Sequence, residues 1–161
     1  MLSYSSIRPP RYSKFSLYWL LNDCVKNAKK RCGKAGIKIE KNTAGIKGRL
    51  MEADQLQIRE VICNILNNAF QAVSGKDGKI TVSASDKNGV FEIEIRDNGE
   101  GIDEAAMERI FTPFYTSKAK GTGLGLAVCR EIVNLHNGKI LVKSKKHSGA
   151  SFTVILPAKT C

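Results

Sequence analysis

The sequence has few of the features that hold small secreted proteins together. Its five cysteines are odd in number and no two are spaced C-x-x-C, which argues against a disulfide framework and against a zinc site. Such cysteines are typical of free thiols in a reducing compartment, so we predict a cytoplasmic protein. A chain of 161 residues, 42% of them hydrophobic, is long enough to form a core without cross-links. Any cofactor therefore serves function rather than folding.

Long apolar runs are also missing. The apolar run near the start covers only residues 17–21, whereas a helix that crosses a bilayer needs roughly 20 residues, so we predict no membrane segment. Pro9 and Pro10 would break the amphipathic helix of a transit peptide. Residues 1–15 are rich in Ser, Pro and Arg and have no hydrophobic periodicity. We expect them to be a linker from an upstream region, and residues 16–161 to be the domain.

Acidic residues are scarce at one end of the chain. Residues 1–50 contain 12 Lys or Arg but only Asp23 and Glu40, and this imbalance accounts for nearly all of the net charge of +11. A basic cluster can attract nucleic acid, but most charge runs are solvated helix faces. Because no aromatic and basic reading surface is evident, we expect no nucleic-acid partner, and a nucleic-acid-binding module remains the weaker alternative.

Several common nucleotide-binding motifs are absent. Glu104 and Leu126 occupy the third glycine positions of the two candidate G-x-G-x-x-G segments, which excludes the Rossmann fingerprint. No Gly-Lys pair is followed by Ser or Thr, which excludes a P-loop. The H-R-D and D-F-G signatures of protein kinases are missing as well.

Hydrophobic periodicity predicts helices and hairpins. Ser16 is a candidate N-cap for a helix that ends near Gly33 and Gly36. A second helix, residues 53–74, places Asn64 and Asn68 one turn apart at the edge of its apolar face, where a cleft can open. Later residues predict a short helix at 104–110 and a longer one at 124–136. The predicted strands are residues 37–41, 79–85, 91–95, 139–144 and 150–156, with a less certain extended piece at 47–51.

Two glycine-rich loops carry the chemistry. Residues 97–102, D-N-G-E-G-I, follow a strand, so a carboxylate leaves the sheet next to glycines that permit close approach of a ligand. Residues 121–126, G-T-G-L-G-L, run directly into a helix, where free backbone N–H groups and the positive end of the helix dipole favour phosphate.

An Asn-bearing helix, a D-x-G-x-G loop, a Phe-rich segment and a G-x-G-x-G loop occur here in that order. This order resembles the GHKL superfamily with its Bergerat ATP-binding fold and, within it, the catalytic domain of a two-component sensor histidine kinase of the nitrogen-regulator type. The resemblance covers residues 16–157. It implies an α+β two-layer sandwich, with a mixed, mostly antiparallel sheet of about five strands packed against three main helices.

The resemblance also implies a ligand, ATP with Mg²⁺. Asn68 would coordinate the Mg²⁺ that bridges the phosphates, and Asn64 would support the metal or a bound water as a catalytic residue. Asp97 would accept a hydrogen bond from the adenine amino group, while Gly99 and Gly101 let the backbone approach the base.

Residues 111–115 match the Phe-rich box, and residues 116–120 would form a short lid over ATP. Lys118 in this lid is the candidate catalytic cation for the phosphates. His136 is expected to be structural. The remaining nucleotide-contacting residues implied by the resemblance are Ile102, Gly121, Thr122, Gly123, Leu124, Gly125 and Leu126.

Three positions depart from the patterns of relatives. ATP-hydrolysing relatives have a glutamate where this chain has Asn64, and an amide cannot serve as a general base, so the resemblance implies phosphotransfer rather than hydrolysis. Gln71 stands where many histidine kinases have lysine, and Ala150 stands where threonine is common.

The resemblance implies partners as well. The phosphoacceptor histidine would lie on the dimerisation domain of the same kinase, outside this chain, with a response regulator as an indirect partner. An anti-sigma-type serine kinase of the same fold is the alternative enzyme.

Overall fold

The computed structural model describes residues 7–117 and 121–159. Its main sheet has five strands in the order β2-β4-β5-β7-β6, and a separate sheet pairs β1 with β3. The strands are β1 (Ser13–Ser16), β2 (Lys38–Asn42), β3 (Leu50–Ala53), β4 (Lys79–Lys87), β5 (Val90–Asp97), β6 (Lys139–Ser144) and β7 (Ala150–Pro157). The helices are α1 (Leu17–Lys34), α2 (Gln55–Ala72), α3 (Glu104–Met107) and α4 (Gly125–Leu135), with a 3₁₀ turn at Ala44–Ile46.

The main sheet is mixed, as expected. Strand β2 pairs with β4 in parallel, whereas the β4–β5, β5–β7 and β6–β7 pairs are antiparallel. Asn88 and Gly89 turn β4 into β5 with positive φ angles of 55° and 81°, the conformation that a two-residue hairpin turn requires. Alternate residues of β4, β5 and β7 are buried, so one face of the sheet forms half of the core.

Helices α1, α2 and α4 supply the other half of the core. Ser16 caps α1, since its hydroxyl accepts a hydrogen bond from the Trp19 backbone N–H at 3.4 Å. The buried side chains of α2 are mainly aliphatic and share one face of the helix. The expected two layers and three main helices are therefore confirmed. Among the described residues, no helix has the length and apolar character needed to cross a membrane.

Strand β1 was not predicted. It pairs antiparallel with β3, so that Ser13 lies opposite Ala53 and Ser16 opposite Leu50. Only Phe15 of this strand is buried, so the sequence has no alternating pattern to reveal it. The assignment of residues 1–15 as a linker stays a prediction, to which the structure adds that the last part of this segment is held against the domain.

Asp54 is the residue that holds this segment in place. It caps α2 through Oδ1, which accepts hydrogen bonds from the backbone N–H groups of Leu56 and Gln57, both at 3.1 Å. Its Oδ2 accepts hydrogen bonds from the Arg8 guanidinium at 2.6 Å and from the Arg11 backbone N–H at 2.7 Å. Burial alone would raise the pKa of Asp54, but these hydrogen bonds and the charge of Arg8 outweigh it and lower the pKa to about 2.

His136 completes the same cluster and confirms its expected structural role. It is 1% exposed. Its Nε2 accepts a hydrogen bond from the Asp54 backbone N–H at 3.1 Å, so Nδ1 carries the proton and donates to the Ile132 carbonyl at 2.8 Å. The His136 and Tyr12 rings also pack edge to face, with the ring centroids 5.6 Å apart.

Replacing Asp54 by Asn is expected to lower the free energy of unfolding by about 2 kcal/mol at pH 7. Asn retains a capping oxygen but loses the charge that pairs with Arg8. Because the pKa of Asp54 is lowered in the folded state, its ionisation stabilises the fold above the ordinary value of 3.8, and this stabilisation disappears as the pH falls towards 2.

Urea unfolding of the parent and of Asp54→Asn between pH 7 and pH 2 measures this effect. Glu40→Gln is the matched control, because Glu40 forms an exposed ion pair with Lys79 and its loss is expected to cost about 0.5 kcal/mol or less. An Asp54→Asn deficit that is unchanged at pH 2.5 would contradict the assignment.

Candidate functional site

A cavity of about 610 Å³ opens between α2, α3, the N-terminus of α4 and the loops that follow β5 and β6. A volume of this size is typical of small-molecule sites. Of the residues predicted from the sequence, those that line this cavity are Asn64, Asn68, Asp97, Gly101, Ile102, Gly121, Thr122, Gly123, Gly125 and Leu126. Residues from three distant parts of the chain therefore meet at one site.

Helix α2 contributes a wall of amides. Asn64, Asn67, Asn68 and Gln71 all line the cavity, because they lie beside the aliphatic face that α2 buries. Asn67 accepts a hydrogen bond from Arg31 of α1, and the Arg31 guanidinium lies 4.4 Å from the centre of the Phe70 ring. Amide oxygens are suitable ligands for a hard cation such as Mg²⁺.

Asp97 ends strand β5 inside the cavity. The residue is 6% exposed, and its Oδ1 accepts a hydrogen bond from the Gly99 backbone N–H at 2.8 Å, which fixes the orientation of the carboxylate. Ile102, Ala150 and Phe152 line the same cavity. A fixed hydrogen-bond acceptor among apolar side chains suits a planar base that carries an N–H donor.

The turn between β6 and β7 holds the Asp97 loop in place. Gly149 and His147 donate backbone hydrogen bonds to the carbonyls of Gly99 and Glu100, at 3.0 Å and 2.6 Å. The Ser144 hydroxyl accepts from the Ile102 N–H at 2.8 Å and donates to the Gly149 carbonyl at 2.7 Å. Together these bonds join the two loops.

The sequence predicts the hairpin of residues 139–144 and 150–156, but not that its turn contributes two side chains to the cavity. Lys146 and His147 both line the cavity. The turn reads K-K-H-S-G, a common composition for a hairpin loop, and its tight fit on the loop after β5 involves mostly backbone groups. Within this turn, only the residue type of Gly149 indicates a special backbone conformation. In the structure its φ is 75°.

Two predicted residues lie outside the cavity wall. A Cβ atom at Gly99 would overlap the backbone of Ala72, and the Glu100 N–H donates to the Ala72 carbonyl at 3.1 Å, so Gly99 lets the loop pack on the end of α2 rather than on a ligand. Leu124 is the N-cap residue of α4, and its N–H lies 3.4 Å from the Thr122 hydroxyl. Lys118, the predicted cation of the lid, lies outside the described residues.

The second glycine loop is clamped to the Phe-rich segment. Gly123 has φ of 70°, a Cβ atom there would overlap the Phe114 backbone, and the Phe114 N–H donates to the Gly123 carbonyl at 2.9 Å. Phe114 itself is 73% exposed, whereas Phe111 packs against the core, with Arg130 over its ring. The loop thus brings the N-terminus of α4 to the cavity, with Gly125 near Asn64.

Cys129, which forms a hydrogen bond with Asn64 of the amide wall, is not a reactive thiolate. Burial raises the pKa of Cys129, on α4, to about 12, although a hydrogen bond with Asn64 partly opposes this rise. Cys129 is therefore protonated at neutral pH, and the chemistry of the site depends on amides, a carboxylate and backbone N–H groups.

The sequence matches a family model over most of its length. Residues 53–160 match the family described as histidine kinase-, DNA gyrase B-, and HSP90-like ATPase. Sensor histidine kinase ZraS of Escherichia coli O157:H7 is 45% identical over 107 residues, which are 66% of this chain and 23% of that protein. Sporulation kinase C of Bacillus subtilis strain 168 is 35% identical over 126 residues, 78% of this chain and 29% of that protein. The chain therefore spans about a quarter of the length of these relatives.

Solved structures share the whole fold. The catalytic domain of histidine kinase ThkA is 31% identical and superposes with a TM-score of 0.83, covering 92% of this chain and 96% of that one. ThkA in complex with the response regulator protein TrrA is 28% identical with a TM-score of 0.83, covering 97% of this chain and 44% of that one. These matches confirm the expected Bergerat α+β fold. The chain belongs to the family of histidine kinase-, DNA gyrase B-, and HSP90-like ATPases.

Proposed function

We propose that the chain is the catalytic domain of a sensor histidine kinase, which binds Mg²⁺ and ATP and transfers the γ-phosphate to a histidine on the dimerisation domain of the same kinase. The observation that carries this proposal is the shared cavity, where Asp97, the amides of α2 and the N-terminus of α4 meet. The similarity to ZraS and to the catalytic domain of ThkA supports it.

Asp97 would hold the adenine. Its carboxylate is buried and oriented by Gly99, so it presents an acceptor to the adenine amino group, while guanine has an acceptor at that position. Ile102 and Phe152 line the cavity and would pack on the base. The close fit of Gly101 against Lys145 keeps the loop in this conformation.

The phosphates would lie between α2 and α4. The backbone at Gly123 and Gly125, with the dipole of α4 behind it, offers N–H donors to phosphate oxygens. Asn68 would hold the metal, and Mg²⁺ when bound neutralises charge that develops on the phosphates. Asn64 would support that position, and Lys118 remains the proposed cation of the lid.

The site supports transfer better than hydrolysis. Asn64 is an amide and cannot take a proton from water, so it cannot serve as the general base at that position. In the described chain, the carboxylates that line the cavity are Asp97 at the end of β5 and Glu100 and Asp103 in the loop that follows, not residues of α2. Catalysis would then consist of positioning and electrostatic stabilisation.

The acceptor histidine would come from the dimerisation domain. His136 is buried and both of its ring nitrogens are hydrogen-bonded, so it is unsuitable as an acceptor. A response regulator would receive the phosphate afterwards, as the ThkA–TrrA complex supports. The serine-kinase and nucleic-acid alternatives are not favoured, because ZraS is a sensor histidine kinase and ThkA is a histidine kinase.

Phosphotransfer in trans tests the proposal. Incubating the chain with Mg²⁺, γ-labelled ATP and a histidine-bearing dimerisation domain is expected to give a label on that domain that is lost in acid and kept in base. Asn68→Ala is expected to lower the rate about 100-fold, because it removes the proposed metal ligand.

Asn67→Ala is the matched control. It removes a neighbouring amide of the same helix, one that already binds Arg31, so we expect the rate to change by about twofold or less. An acid-stable label would favour the serine kinase instead. Equal rates for the two variants would overturn the metal assignment.

A further inference from the structure

Two cysteine side chains face each other across the interface between α1 and α2. Cys24 of α1 and Cys63 of α2 have their sulfur atoms 3.9 Å apart. Neither lines the nucleotide cavity, and the proposed function does not use them. Both are free thiols in the structure.

The two thiols have different surroundings. Cys24 is 2% exposed, whereas Cys63 is only partly buried. The hydrogen bond with Cys24 lowers the pKa of Cys63 to about 7, with support from the Arg59 charge and against the effect of burial. The same hydrogen bond, together with burial, raises the pKa of Cys24. Arg59 is held beside them by Asp23 at 2.6 Å.

We propose that Cys24 and Cys63 are an oxidation site at which a peroxide forms a disulfide that joins α1 to α2. The Cys63 thiolate attacks the peroxide, a new S–O bond forms, the O–O bond breaks, and the leaving alkoxide or hydroxide takes up a proton. The sulfur of Cys24 then attacks the Cys63 sulfenic acid. The S–S bond forms, the S–O bond breaks, and the hydroxyl leaves as water with the proton of Cys24. The two thiols lose two electrons and the peroxide gains them.

The geometry favours this pair over the other cysteines that the structure describes. The two sulfur atoms, 3.9 Å apart, would need to approach by about 2 Å to reach bonding distance. Cys129 is fully buried and its Sγ lies 3.7 Å from the Val61 carbonyl, and Cys32 is 1% exposed. Because Cys63 directly precedes Asn64, the disulfide would tie the helix that lines the nucleotide cavity to α1.

Peptide mapping tests the proposal directly. Trypsin places the cysteines in separate peptides, with Cys24 in residues 15–26 and Cys63 in residues 60–76. The full chain carrying Cys161→Ser would be treated with hydrogen peroxide, alkylated in denaturant and digested without reductant. We expect these two peptides to be linked in most chains, with a mass smaller than their sum by two hydrogens, and dithiothreitol to separate them.

Two variants sharpen the test. In Cys24→Ser, the Cys63 sulfenic acid has no thiol to react with, so we expect dimedone to trap it on peptide 60–76. Cys32→Ser is the matched control, because it removes a buried thiol of the same helix and should leave the yield of linked peptide unchanged. Irreversible oxidation of Cys63 without a link, or links to another cysteine, would overturn the proposal. The phosphotransfer activity of the reduced chain does not depend on whether this disulfide forms, so failure of the disulfide proposal would leave the proposed function untouched.

Discussion

Replacing Asp97 by Asn is expected to weaken ADP binding about 10- to 100-fold, because the charge-assisted hydrogen bond that we propose between Asp97 and the adenine amino group would be lost. Asp97→Asn tests the adenine assignment without removing the side chain that anchors the loop. The Oδ1 atom of Asn can still accept the hydrogen bond from the Gly99 N–H, so the loop keeps its anchor. What changes is the charge and the acceptor that Asp97 presents to the base. Calorimetric titration with ADP, with and without Mg²⁺, measures the difference.

Glu94→Gln is the matched control for this variant. Glu94 lies on the same strand, and the same kind of change removes its charge, but it is not among the residues that line the nucleotide cavity. Its ADP affinity should therefore match that of the parent. If Asp97→Asn also binds ADP as tightly as the parent, the adenine assignment is wrong, whereas the metal assignment at Asn68 would still stand on its own test.

Replacing Gly149 by Ala is expected to destabilise the fold by about 3 kcal/mol and to weaken ADP binding at the same time. Gly149 has φ of 75°, which is strained for any residue with a Cβ atom. The added Cβ would also overlap the Asp97 carbonyl, a backbone group that cannot rotate away. The turn and the Asp97 loop must then separate, and the carboxylate loses its position.

Gly48→Ala separates the cost of the positive φ from the cost of the overlap with the Asp97 carbonyl. Gly48 has φ of 78°, but a Cβ atom there would meet nothing within 4 Å, so only the conformational cost of about 1 kcal/mol is expected. Its ADP affinity should be that of the parent. Urea unfolding measures the stability of both variants, and titration with ADP measures their affinities. If the two variants lose the same free energy of unfolding, the contact between Gly149 and Asp97 does not contribute to stability beyond the cost of the positive φ.

Much of the fold could be predicted because its signals are local. The aliphatic positions of α2 recur within a turn, Asn88 and Gly89 are adjacent, and Ser16 lies three residues before the N–H that it caps. The two glycine loops are also continuous segments, and it was the resemblance of their order to the GHKL superfamily that implied a common ligand. The match with structures of the same family supports that prediction at the level of the fold.

Other parts of the site could not be predicted, because they depend on contacts between distant backbone groups. The residues next to Gly99 in the sequence do not indicate that Gly99 packs against Ala72 rather than a ligand. The sequence of the turn 145–149 does not indicate that this turn forms hydrogen bonds with the loop after β5. The pairing of β1 with β3 and the docking of Arg8 on Asp54 likewise join segments about 40 residues apart.

The sequence by itself determined the helices, the hairpins, the family and the residue types of the candidate nucleotide site. Each of these depends on residues that are neighbours along the chain or on a fixed motif spacing. Only the tertiary structure decided which glycines face the cavity, which turn supports Asp97 and which two of the four described cysteines meet. The physical reason is that these contacts form when separate elements pack, and their hydrogen bonds are made largely by backbone groups that every residue carries.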